Sequence, residues 1–406
     1  MSKMKEQTSS IYINGCGFNS ALGSTPERII ACLSQNEAAD MFCESNWLNS
    51  GKETVVGKVT SLLPEIAESD RLSNKNTRNN RLALSALQQI ENQIEAAKLQ
   101  YGASRIAVVV GTSTSGISDG EWALKQRLES DQFTEDFHYQ QQELGNLGQF
   151  VADYYHITGP TYTISTACSS SGRAFISAQR LLNMGIVDAV LVGGCDTLCK
   201  LTLNGFNSLE ALSNVHCNPF SANRNGINIG ESAAFMLLSL KANEKQNNVV
   251  LLGVGDSSDA HHISAPHPEG DGAVISMAKA LQDAHLSAAD IGYINAHGTA
   301  TPLNDAMEAK AIHRLFAANT PVSSTKPMTG HTLGAAAITE AAICWYILKH
   351  DLSLPVQIND GQIEKELADI QLVLTTQHLQ HKVILSNSFA FGGNNVSLIF
   401  GIENEQ

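Results

Sequence analysis

The sequence predicts an α/β protein in which one strand–turn–helix architecture is used twice. Three observations carry that expectation. Short apolar runs end in Gly, Ser, Thr or Asn and give way at once to helical periodicity. Glycine outnumbers proline 31 to 10, the balance of a chain rich in tight strand–helix turns and not of a fibrous or disordered one. The strand-ending motifs also recur: RIAVVVGTSTSG is matched by IGYINAHGTATP, TISTACSSSGRAF by VSSTKPMTGHTLGAA, DAVLVGGCDT by KVILSNSFAFGG, and INGCGFNSALG by LGVGDSSDAHH. The offset between partners is roughly 150–200 residues for the first three pairs. Any α/β chain shows strand–glycine–helix units, but this recurrence favours a duplication.

Strands are expected at residues 11–13, 105–110, 161–164, 189–192, 249–254, 291–294 and 382–385. Several are apolar without alternation, as strands covered on both faces should be. Helices are expected at 79–97, 144–155, 172–184, 273–284, 305–316 and 334–348, where apolar residues recur at helical spacing. The duplication divides the chain into halves 1–246 and 247–406, with both sets of strand ends around one cleft, where α/β proteins place ligands.

Composition sets further bounds. The 406 residues are 43% apolar and 16% charged, enough to bury a sizeable core. A formal net charge of −14 excludes a general nucleic-acid binder, which needs a basic surface. No stretch has the apolar length of a membrane span, and Met1–Ser9 has no apolar segment of the kind a secretory signal carries. The cytoplasm is the expected location. The eight cysteines lack a framework spacing, and in that compartment they should be reduced, mostly as small buried hydrophobes. Cys195 and Cys199 are four apart without a second pair, and His261, His262 and His267 lie in one loop; neither group has the spacing of a metal site.

Four turns carry the chemistry. Cys168 follows an apolar strand and immediately precedes a helix. There the helix dipole and free N–H groups favour thiolate, and the same N–H groups can hold an oxyanion. A buried structural cysteine is the bland alternative. His297 closes a strand in a Gly/Thr turn with Thr299 and Thr301 beside it, and Lys326 and His331 flank a Pro/Gly turn before another helix. Each alone would read as a surface residue; three strand-ending turns that each present a reactive group do not read as coincidence. Phe389 and Phe391, beside Gly392 and Gly393, read as a lid that swings over an acyl channel or, more plainly, as plugs at a core edge.

Cys168 in TACSSSG, His297 in HGTATP, Lys326 in STKPMTGH, His331 in GHTLGAA and the FAFGGNN loop together resemble the elongation-type β-ketoacyl-acyl-carrier-protein synthases, types I and II, over nearly the whole chain. The resemblance implies a thiolase-like fold of two duplicated halves in five layers, α-β-α-β-α. It implies that Cys168 takes an acyl chain, with its carbonyl oxygen between the N–H groups of Cys168 and Phe391. His297 and His331, as neutral donors, would stabilise the enolate formed when a malonyl unit on acyl carrier protein loses CO2. Lys326 with Glu340 would hold the histidines' field and tautomers. Thr299 and Thr301 would bind the phosphopantetheine arm, and Glu308 and Asn387 a polar floor with room for a structural monovalent cation. No other cofactor is implied.

Acyl carrier protein is the implied partner, with Lys75, Arg78 and Arg81 as its basic docking patch. The chain would work as a homodimer, or as one half of a heterodimer of ketosynthase and chain-length factor. A non-catalytic chain-length-factor-like subunit is the competing reading, but such subunits lose the nucleophile that Cys168 retains. A thiolase would need a second cysteine in FAFGGNN, and a cysteine peptidase leaves Lys326 and His331 unexplained. Two departures stand out: the family's usual loop is Phe-Gly-Phe-Gly-Gly-Thr-Asn, whereas Ala390 and Asn394 occur here. Ala390 lacks glycine's freedom at positive φ and is expected to alter loop opening. Together with the unusual segment around Cys199, these departures point to a specialised fatty-acid, polyene or polyketide pathway.

Overall fold

The computed structural model describes residues 10–67, 69, 71–243 and 247–403. Met1–Ser9 and the half boundary expected at residue 246 lie outside the described residues. The first half runs β1 (Ile11–Asn19), α1 (Pro26–Gln35), β2 (Met41–Glu44), β3 (Thr54–Gly57), α2 (Arg78–Leu87), α3 (Glu91–Tyr101), β4 (Ile106–Gly111), α4 (Ile117–Ser130) and α5 (Asn146–Tyr155). It continues through β5 (Thr161–Ile164), α6 (Ser170–Asn183), β6 (Ala189–Asp196), α7 (Lys200–Ser208), β7 (Ile229–Gly230) and β8 (Ser232–Ser239). The second half runs β9 (Val249–Ser258), α8 (Asp271–Asp283), β10 (Tyr293–Asn295), α9 (Pro302–Phe316), β11 (Pro321–Ser323) and α10 (Lys326–Thr329). It ends with α11 (Ala336–His350), β12 (Gln371–Leu372), β13 (Val383–Ala390) and β14 (Asn394–Ile402).

One pairing scheme occurs twice. From β1 outward, β8 and β6 are antiparallel to their inner neighbours, and β4 and β5 follow in parallel. From β9 outward, β14 and β13 are antiparallel and β10 and β11 parallel. The halves join where β1 pairs with β9 through Ile11 and Tyr12, closing an eleven-stranded sheet. Helices α6 and α11 are sandwiched between the two halves of the sheet. Helices α2, α3 and α5 cover one outer face, and α8 and α9 cover the other. That makes five layers. Among the described residues no helix is long and apolar enough to cross a membrane.

The sequence patterns explain most of this. IAVVVG in β4 is buried throughout, as a parallel strand covered on both faces should be. Helix α11 is buried along almost its whole length, with apolar residues on every side. The single helix expected at 79–97 is instead broken by a turn at Gln88–Ile90. Gln89 turns inward there, accepting from the Phe18 N–H and donating to the Phe18 and Ser24 carbonyls. Strands β8 and β14 were not expected: SAAFMLLS is buried without alternation, and such short apolar runs carry no period that separates strand from helix.

Asp196, at the end of β6, ties the layers at the centre. Its fully buried carboxylate accepts the Thr112 and Thr114 hydroxyls and the Ser113 and Thr114 N–H groups at 2.7–2.8 Å. From the other half it accepts the Ala335 N–H at 2.9 Å. Removing the acceptor strands several buried donors. Asp196→Ala is therefore expected to lower stability by about 3 kcal/mol, read as a shifted urea midpoint.

Candidate active site

Cys168 sits at a strained corner between β5 and α6. Ala167 adopts φ 53°, a left-handed conformation that costs a non-glycine residue about 1 kcal/mol. The serines that follow hold the turn. Ser169 Oγ donates to the Thr166 carbonyl at 2.8 Å, Ser170 Oγ donates to the Ala167 carbonyl at 2.6 Å, and the Thr166 N–H donates to Ser170 Oγ at 2.9 Å. The TACSSSG motif is thus a self-bracing corner that aims one thiol. Cys168 is 6% exposed, and the N–H groups of Phe391 and Cys168 both draw its thiol pKa down.

The second half supplies the rest. His331 Nε2 lies 2.9 Å from Cys168 Sγ. The rings of His297 and His331 stand 5.4 Å apart, nearly perpendicular. The N–H groups of His297 and Gly298 donate to the two oxygens of Glu308 at 2.8 and 2.7 Å, which fixes the turn carrying His297. Lys326 Nζ donates to the His297 carbonyl and to Glu340, and lies 3.3 Å from His297 Nδ1. An ammonium can only donate, so Nδ1 is the acceptor and the ring proton sits on Nε2.

Burial first, and then the Lys326 charge, hold both histidines well below the usual imidazole range, so both are neutral. Burial likewise pushes the Cys168 thiol up to about 11, although Lys326 and the two N–H groups pull it down. The thiolate expected from the helix start is therefore not the resting form. Desolvation outweighs the dipole.

The remaining expected residues are placed as follows. Thr299 and Thr301 share a hydrogen bond at 2.9 Å and line a cavity of about 270 Å3 that also reaches Cys168, His297, His331 and Phe391. Asn387 Nδ2 lies 3.4 Å from Glu308, and its Oδ1 accepts from Ser397 at 2.8 Å. Phe389 is not a loop residue; it is buried in β13, with its ring edge against His297. Phe391 does lie in the turn, against Phe206 at 5.7 Å. Ala390 is extended at the end of β13 and takes no positive φ. The positive φ values belong to Gly392 and Gly393, at 81° and 76°.

Lys75, Arg78 and Arg81 do not form a free basic patch. They are spent on ion pairs with Asp153, Glu231 and Glu65 respectively. Nor does the polar floor fit a cation. Both Glu308 oxygens accept N–H groups, and the Asn387 amide nitrogen faces the same carboxylate. Among the described residues, the one set of three potential metal ligands is Cys168, His297 and His331, with the Lys326 ammonium beside it. Cys195 instead donates to the Asn79 carbonyl, and Cys199 contacts the Thr202 hydroxyl. The rings of His261 and His267 stack edge to face at 5.1 Å.

Sequence reasoning missed Phe206, Asp196 and the bond from Asn395 to Asp259, 2.6 Å long, that ties the turn to a neighbouring loop. Asp196 lies inside a motif singled out as a strand end, but nothing local marks it as the acceptor for two halves. Phe206 lies in a helix with no reactive neighbour in sequence.

Comparison with known proteins gives a consistent picture. Residues 8–243 match the family model of the beta-ketoacyl synthase N-terminal domain, and residues 249–359 match that of the C-terminal domain. The chain is 36% identical over 265 residues to 3-oxoacyl-[acyl-carrier-protein] synthase 2 of Rhizobium meliloti, covering 61% of this chain and 62% of that protein. It is 32% identical over 314 residues to the synthase 2 of Staphylococcus aureus, covering 73% and 77%. The matched region thus spans about three fifths of the Rhizobium relative and about three quarters of the Staphylococcus one. Among solved structures, a chain from the complex of a ketosynthase with its chain length factor from Xenorhabdus doucetiae is 48% identical with a TM-score of 0.93, covering 99% of this chain and all of that one. A beta-ketoacyl synthase from Burkholderia phymatum is 26% identical with a TM-score of 0.86, covering 98% and 100%.

The buried thiol carries a measurable consequence. With its pKa raised to about 11, alkylation of Cys168 by iodoacetamide should climb about tenfold per pH unit from pH 7 to pH 10 without levelling. Peptide-resolved mass spectrometry checks this; a plateau near pH 8 would show that thiolate is the resting form.

Proposed function

The chain belongs to the β-ketoacyl synthase family, and from that premise we propose that it is a 3-oxoacyl-acyl-carrier-protein synthase. It transfers an acyl group to Cys168 and condenses it with malonyl carried on acyl carrier protein. The observation that carries the reading is the convergence of one buried thiol and two neutral imidazoles, one of which Lys326 holds as an Nε2 donor.

In the first half-reaction, the sulfur of Cys168 attacks the thioester carbonyl of the incoming acyl chain. The departing pantetheine sulfur takes up the thiol proton, the new C–S bond forms, and the old one breaks, while both imidazoles keep their Nε2 protons. The N–H groups of Cys168 and Phe391 hold the oxyanion. In the second, the malonyl thioester loses CO2, and the electron pair of the broken C–C bond becomes an enolate. Donors at His297 and His331 stabilise its oxygen without having to act as strong bases. The enolate carbon attacks the acyl carbonyl, Cys168 leaves as thiolate and takes up a proton, and 3-oxoacyl-carrier and CO2 depart. Thr299 and Thr301 hold the pantetheine arm. The chemistry as proposed draws on these side chains and the carrier's own pantetheine, with no further cofactor.

The partner is acyl carrier protein together with a second subunit of the same fold. Trp122, Leu128 and Phe133 on and after α4 are exposed, apolar surface that such a subunit would cover. Likeness to the Xenorhabdus doucetiae complex favours a heterodimer with a chain-length factor, and with it a specialised fatty-acid, polyene or polyketide pathway.

Cys168→Ala should abolish the acyl adduct seen by intact-protein mass spectrometry with acyl-carrier thioesters. His297→Ala should retain the adduct while slowing CO2 release from malonyl-carrier by about 100-fold or more. A His297→Ala variant that decarboxylates at the parent rate would sink the assignment. With carrier-bound primers of graded length, a specialised synthase should show a sharp preference; broad and equal use would make it a general elongase.

A further inference from the structure

Arg173, on the first turn of α6, links the nucleophile's helix to the turn that covers the nucleophile. Its Nη1 donates to Asp256 Oδ2 at 2.8 Å, and its Nη2 donates to Asn394 Oδ1 at 2.9 Å. The buried Nε has no partner among the described residues, so the two Nη contacts alone aim the guanidinium. Asp256 belongs to β9. Asn394 opens β14, directly after the turn that carries Phe391. At the neighbouring position the helix presses on the same strand: a Cβ on Gly172 would stand 2.9 Å from Val396 Cγ1. Helix and hairpin are therefore pinned at adjacent residues, once by close packing and once by a directional hydrogen bond.

The two contacts do different work. Packing at Gly172 limits how near the hairpin can come, but apolar contact is non-directional and resists sliding poorly. The hydrogen bond from Arg173 restrains sliding. Sliding matters because the two N–H groups that act on the Cys168 thiol ride on different elements: that of Cys168 moves with the start of α6, that of Phe391 with the hairpin. An oxyanion formed on the acyl carbon needs both within about 3 Å at once. The hairpin's ladder with β9, the Asn395 bond to Asp259 and the Gly392 N–H bond to the Ile263 carbonyl fasten it to β9 and the loop after it, and not to the nucleophile's helix. We infer that Arg173 and Asn394 are positioning residues that keep the Phe391 N–H in register with that of Cys168. The inference rests on acyl transfer to Cys168 as proposed above.

The test uses the full chain with Asn394→Ala, Asn394→Asp and Arg173→Lys. Three quantities are read: acylation of Cys168 by octanoyl-acyl-carrier thioester in a single turnover, labelling of Cys168 by a bulky pyrene maleimide, and melting temperature. Asn394→Ala and Arg173→Lys should acylate about tenfold more slowly while labelling with the maleimide several-fold faster, because the turn no longer stays over the thiol. Asn394→Asp, which keeps an acceptor for Arg173, should return both rates to within about twofold of the parent. Parent-like acylation in Asn394→Ala, or an Asn394→Asp as slow as the alanine variant, overturns the inference. So does a parallel fall of all rates with a lowered melting temperature, which would mark a merely structural role. If the parent chain itself takes no acyl group from any carrier thioester, the functional reading fails, and the maleimide rates still decide: faster labelling of Asn394→Ala upholds the tether, equal labelling refutes it.

Discussion

The arrangement of the candidate site depends on one buried charge. Lys326 is almost wholly removed from water and faces the equally buried Glu340. An unpaired ammonium there would cost several kcal/mol or shed its proton. Facing Glu340, it does three things at once. It fastens the His297 carbonyl, it fixes the tautomer at His297 Nδ1, and it draws the pKa values of both histidines and of Cys168 downward. Among the described residues, no other group reaches the backbone, the tautomer and the field of the site together.

That charge sits where two copies of one architecture meet. The nucleophile comes from the corner after β5, the imidazoles and the ammonium from corresponding turns of the second half, and the second N–H donor from the hairpin between β13 and β14. Asp196 bridges the halves from beneath, accepting from the end of β4 and from the residue before α11. The site is therefore a property of the interface between halves, and its distances are set by how α6 and α11 pack against each other and against both sheets.

Much of this was legible from residues alone. The corner at Cys168, the turn at His297 and the Lys326–His331 pair each combine an apolar strand end with small residues and a reactive group, a local signature that a linear reading can find. The recurrence of strand-ending motifs was visible for the same reason. What escaped were relations between distant segments. The thiol's protonation state depends on burial by residues from both halves, and a helix start in isolation predicts the opposite sign. Ala390 stood out against a glycine pattern, but the backbone puts the positive φ values at Gly392 and Gly393. Lys75, Arg78 and Arg81 read as a patch because sequence shows charges without their partners. β8 escaped because a fully buried strand carries no alternation.

Helix α11 carries a consequence for how the protein is made. It covers β1 and β8 from the first half as well as β9, β13 and β14 from the second, yet it lies some three hundred residues after β1. During synthesis, the inner face of β1 and β8 must emerge and wait for its α11 cover until residues 336–350 leave the ribosome. At translation speeds of roughly 5–20 residues per second, that wait lasts many seconds. The nascent first half is therefore a natural client for a chaperone. A chain truncated before α11 would be left with a permanently sticky sheet and not with a smaller working domain.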